Sequence, residues 1–117
     1  MLVLFALCHT DKTMKYRKYE IVMDTPIGLR YGTINLCSTD NRINGTLDLL
    51  GHSEPFGGTI DSNGNCTICG QLITLMHTIN YTAIGKITEK AIELSLQGER
   101  NVFKMTGIGV PESEVKV

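Results

Sequence analysis

Two cysteines three residues apart, in Cys66-Thr67-Ile68-Cys69, are the first candidates for chemistry in this chain. In a turn or at a helix start, that spacing converges two sulfurs for redox exchange or zinc binding. Here the surrounding residues alternate in polarity as a strand does, and strand positions three apart point to opposite faces. No second CxxC and no histidine pair completes a ligand set. The reading is one core thiol and one surface thiol, with no metal and no cofactor. A second candidate is Gly51-His52-Ser53-Glu54-Pro55, read as a polar loop in which Glu54 would steer His52 as a base. No nucleophile or third orienting group accompanies them, so an enzyme built on this loop ranks below a non-enzymatic role. His77 follows an apolar run and reads as a histidine at a strand end. Lys12, Lys15, Arg17 and Lys18 form the one basic cluster, read as a solvated lead into the first strand. With 11 basic against 12 acidic side chains the formal net charge is -1, which excludes a protein held to nucleic acid by neutralised phosphates.

What must position these groups is set by size and pattern. At 117 residues and 42% hydrophobic, the chain supports one core and one domain. No window approaches the ~20 apolar residues of a membrane-spanning helix, so no membrane partner is expected. The opening MLVLFALC lacks a basic start, and Leu7 occupies the place where a lipoprotein signal before Cys8 needs a small residue. Cys8, Cys37, Cys66 and Cys69 are few for a disulfide scaffold and read as reduced, which places the chain in the cytoplasm. Glycosylation triplets at Asn44, Asn65 and Asn80 then read as chance. The expected organisation is an apolar segment over 1–13 (an extra strand or a cover), one domain over 14–110, and a polar tail over 111–117.

From Tyr19 onward apolar and polar residues alternate with the period of a half-buried strand. Turn chemistry at TPIG (25–28), STDN (38–41), HSEP (52–55), SNGN (62–65), TEK (88–90) and GERN (98–101) divides the alternation into strands of ~6–8 residues. Asn63-Gly64 predicts a hairpin turn with two positive-φ residues. Seven glycines recur on the apolar phase: Gly32, Gly45, Gly58, Gly70, Gly85, Gly98 and Gly107. Glycine is disfavoured inside a strand, and the cause proposed for this series is tight coiling, which crowds a concave face. The pattern predicts an all-β, up-and-down antiparallel meander of about eight short strands closing into a small barrel, with a two-sheet sandwich as the alternative.

The meander, the inward glycines and the size resemble a small calycin-type (lipocalin-like) barrel over Tyr19–Gly107. That resemblance is architectural and assigns no residue roles. The inward apolar phase itself gives the functional expectation, a binding module with a small apolar ligand inside the barrel, touching Tyr19, Met23, Phe56, Tyr81, Phe103 and Met105. The alternative is a filled barrel whose activity is self-assembly. The apolar phase from Gly32 to Gly107 reads as free of Arg, Lys, Asp and Glu. The alternation breaks at Leu72-Ile73-Thr74-Leu75-Met76, read as a strand apolar on both faces; Ile84 adds to its outward side, and Val22 and Leu50 are further exceptions. A strand apolar on both faces needs a cover. Ile73, Leu75 and Ile84 are therefore the expected interface of a homodimer, with Leu2–Leu7 as the other available cover.

Overall fold

The computed structural model describes residues 14–49, 51–74 and 77–111. The segment 1–13, Leu50, Leu75, Met76 and the tail from 112 lie outside them. The described residues form eight strands: β1 (Met14–Thr25), β2 (Gly28–Thr39), β3 (Arg42–Leu49), β4 (His52–Ile60), β5 (Asn65–Ile73), β6 (Thr78–Ile87), β7 (Ala91–Gln97) and β8 (Val102–Gly109). Each pairs antiparallel with the next, and β8 returns to β1, so the sheet closes into a barrel in simple up-and-down order. The expected fold class is the observed one, and the sandwich alternative is not. Closure leaves every strand a partner on both sides over at least part of its length, which removes the open edges a flat meander would carry.

Several details differ from the sequence reading. The strands run from seven to twelve residues, and the β1–β2 hairpin is twelve residues on each arm. Its extra length comes from Met14–Lys18, read as a solvated lead but laddered onto Asn35–Thr39. HSEP is no turn: the chain reverses at Gly51, whose φ of 82° a β-carbon would oppose, and His52–Pro55 belong to β4. At the Asn63-Gly64 turn only Gly64 has positive φ. The turn is longer because the Asp61 carboxylate accepts from the N–H groups of Asn63 (2.8 Å) and Asn65 (3.0 Å). The presumed strand over 72–76 stops at Ile73, where Thr74 closes a turn by exchanging hydrogen bonds with His77.

Six of the seven glycines lie on the inner phase of strands; Gly98 instead opens the β7–β8 turn. Cross-strand register explains them. Gly45 lies between Leu36 and Phe56, Gly70 between Phe56 and Tyr81, and Gly107 between Ile21 and Ile92. Small and large side chains thus alternate around the wall, and the large ones fill the interior. The coiling is tight enough that a β-carbon on Gly45 would overlap the Asn35 carbonyl oxygen of the neighbouring strand. Gly58 stands in the same relation to Thr67, and Gly85 to Glu93. The residues that the alternation places inside, Tyr19, Ile21, Met23, Ile34, Leu36, Leu47, Leu49, Phe56, Ile60, Ile68, Leu72, Tyr81, Ile92, Leu94, Leu96, Phe103 and Met105, are all buried except Ile60, which is partly buried, and Ile43, Cys66, Ala83 and Ile87 join the core.

Candidate functional site

The barrel interior is the first place to look for a site, and side chains occupy it. Tyr19, Met23, Phe56, Tyr81, Phe103 and Met105 are all buried within a single apolar cluster. What remains is a void of about 10 Å3 bordered by Ile34, Leu47, Phe56, Tyr81, Leu96 and Met105 among others. That is room for at most one water, and the lining is apolar. Ligand pockets run to roughly 300–1,000 Å3. Among the described residues no polar or charged side chain is buried in the core.

The two interior tyrosines have structural work. Tyr19 donates its hydroxyl proton to the Thr88 carbonyl at 2.6 Å, tying β1 to the β6–β7 turn, and burial raises its pKa. Arg17 reinforces the same tie by pairing with Glu89 at 3.3 Å. Around that pair lies an open groove of about 550 Å3, bordered by Tyr16, Arg17, Lys18, Asn35, Cys37 and Glu89 among others. The Tyr81 hydroxyl lies over Gly70, 2.6 Å from where a β-carbon would stand, so phenol and glycine are fitted to each other. Burial pushes the Tyr81 pKa up to about 12.

His52 and Glu54 are successive positions on one face of β4, about 7 Å apart along the strand, and no hydrogen bond joins them among the described residues. Glu54 lies opposite Leu47 and so shares the inward phase, half-buried at the rim. The sequence reading of that phase as free of charge holds only if 52–55 is a loop; once His52–Pro55 joins β4, Glu54 falls on it. The wall also parts beside it. The β4–β5 ladder covers only Phe56–Ile60 against Cys66–Gly70, and Pro55, lacking an N–H, cannot donate to a further rung. Cys66 and Cys69 point to opposite faces: Cys66 is buried, with its thiol pushed up to about 11 by burial, and Cys69 is exposed, its Sγ 3.9 Å from Thr82 Oγ1. Among the described residues no three His, Cys, Asp or Glu side chains gather in a group able to hold a metal.

On the outer wall, Ile73 is half-buried opposite Thr78 and Ile84 is exposed opposite Thr67. Six residues of β5 separate those two rungs, about 20 Å, so the ladder does not bring them together. Leu75 lies outside the described residues. A denser apolar group that the sequence reading did not assemble sits elsewhere: Val22, Leu29, Tyr31 and Ile108, on neighbouring strands β1, β2 and β8. Their signal was present as breaks in the polar phase, but only the register shows that they adjoin.

The fold therefore defines a closed eight-stranded antiparallel meander barrel, consistent with a calycin-like architecture, with a packed interior. Comparison with protein-family models, with curated proteins and with solved structures gives no match to this chain.

Proposed function

We propose that the protein is a non-enzymatic interaction module: a calycin-like barrel whose interior serves packing and whose outer wall makes the functional contacts with protein. The observation that carries this reading is the interior void of about 10 Å3, far below the volume of a small apolar ligand. The division of apolar residues supports it as well. Tyr31 and Ile108 are 74% and 72% exposed while the core is complete without them. Surface of that kind in one place marks a contact with another macromolecule. Among the described residues no hydrogen bond joins the rim pair His52 and Glu54.

Native mass spectrometry of the full chain, purified without added ligand, tests the reading. The expected spectrum shows protein mass alone, and titration with environment-sensitive apolar dyes gives no saturable 1:1 uptake. A co-purified small molecule at one per chain, or stoichiometric dye uptake into the barrel, overturns it in favour of a ligand carrier.

A further inference from the structure

If the outer wall is the working surface, one strip of it stands apart. Across the ladders of β8, β1 and β2, Ile108 lies opposite Glu20, Val22 lies between Thr106 and Tyr31, and Leu29 lies opposite Asp24. These positions share the outward phase. Ile108, Val22, Tyr31 and Leu29 therefore run diagonally over three neighbouring strands, with Ile27 in the turn beyond. Ile27 is 80% exposed and Leu29 51%, whereas Val22 is half-buried between its neighbours. A shallow groove of about 450 Å3 lies along the Ile108–Val22–Tyr31 part of the strip, bordered by Glu20, Val22, Tyr31, Thr106, Ile108 and Val110 among others. Among the described residues the other exposed large apolar side chains are scattered: Tyr16, six residues before Val22 on β1, lies opposite Cys37, Ile84 has Thr67 and Ser95 as its neighbours, and Val102 lies opposite Gln97.

We infer that this strip is the contact surface between two copies of the chain in a symmetric dimer, an inference that rests on the interaction-module reading above. Two observations select a second copy as the occupant. The first is area. The exposed portions of Ile27, Leu29, Tyr31 and Ile108 amount to roughly 550 Å2 per copy, taking ~200 Å2 for each large side chain. With the polar groups at its edges the face reaches the roughly 600–800 Å2 per partner that specific dimers bury. The second is charge. Glu20 and Asp24 on β1 flank the strip together with Lys104 on β8, which lies opposite Asp24. Both signs at one border make the face complementary to itself, while a strongly acidic or basic partner meets repulsion from one of them. A formal charge of -1 leaves little repulsion between copies.

The test is sedimentation equilibrium of the full chain over a dilution series, beside Tyr31→Lys, Ile108→Glu, Val102→Lys and Ile84→Lys. All four substitutions are at exposed sites, and far-UV circular dichroism checks that each variant keeps the barrel. The expected result is a reversible dimer whose Kd rises at least ~100-fold with Tyr31→Lys or Ile108→Glu and is unmoved by Val102→Lys. A wild-type chain that stays monomeric at every concentration overturns the inference, as does a dimer indifferent to both strip substitutions. A dimer broken by Ile84→Lys but not by Tyr31→Lys also overturns it, moving the contact to β5–β6 while leaving the interaction-module reading in place. That reading fails separately, on a bound small molecule in the mass spectrum.

Discussion

Gly57 and Gly58 are adjacent in β4 and face opposite ways, so an alanine at each measures how far coiling, and not merely strand propensity, accounts for the inward glycines. A β-carbon on Gly58 would overlap the Thr67 carbonyl oxygen and lie 2.8 Å from Ile68 Cα. Both obstacles are backbone, so no rotamer change relieves them. β5 would have to retreat by about an ångström while nine residue pairs hold it to β6. Overpacking against movable side chains costs about 1–3 kcal/mol, and a fixed backbone places this case at the upper end, about 3 kcal/mol or more. Against the ~5–15 kcal/mol that hold a domain together, that is a large share. At about 4–8 °C per kcal/mol, Tm falls by roughly 15 °C. A β-carbon on Gly57 meets only the Ile43 carbonyl oxygen, at 3.9 Å, and the φ there is not positive. Gly57→Ala should be neutral or stabilise by up to about 1 kcal/mol, because it restricts the unfolded chain. Urea titrations followed by far-UV circular dichroism, with m-values compared, measure both. Equal costs at the two sites, or a Gly58→Ala variant within 1 kcal/mol of wild type, would refute the coiling explanation.

Three further expectations concern the packed interior. Leu96 is 1% exposed, so Leu96→Ala should cost about 2–5 kcal/mol and open a dry cavity that takes up benzene or xenon, detectable by NMR shifts absent from wild type. Tyr81, with its pKa pushed up to about 12, stabilises the fold only while protonated. Because the folded value lies above the unfolded ~10, its contribution is complete below pH 10 and is lost as pH rises toward 12, about 2–3 kcal/mol in all. Cys66, pushed up to about 11, loses its contribution over pH 9 to 11 in the same sense, so alkaline destabilisation should begin near pH 9 and become shallower in Tyr81→Phe. Tyr19→Phe leaves the Thr88 carbonyl without its 2.6 Å donor; a loss of about 1–2 kcal/mol is expected, with faster amide exchange in the β6–β7 turn measured by NMR.

The limits of the sequence reading follow from which forces act between neighbours in the chain and which act between strands. Alternation and the glycine series are local signals, and they were enough for the meander, its closure and nearly all of the core, including the opposite orientations of Cys66 and Cys69. The failures share a cause: a turn is set by its caps and by the partner strand as much as by its own composition. His52-Ser-Glu-Pro55 has the composition of a loop, yet Gly51 makes the reversal and β3 ladders the next residues, which turns Glu54 onto the inward phase. Thr74 looks like one more strand residue until its exchange with His77 ends β5. The outer strip was hidden for a further reason. Val22, Tyr31 and Ile108 are far apart in sequence, and only the registers of β1 with β2 and with β8 make them neighbours. A one-residue slip in either ladder would turn Tyr31 or Ile108 inward relative to Val22 and dissolve the strip. Glycines guard against such slips: Gly107 lies opposite Ile21, whose side chain a β-carbon there would crowd, and Gly32, also opposite Ile21, fixes β2 against β3, where a β-carbon would overlap the Asp48 carbonyl oxygen. The same glycines that allow the interior to fill therefore hold the outer apolar residues in line, so the packed core and the exposed strip are two consequences of one register.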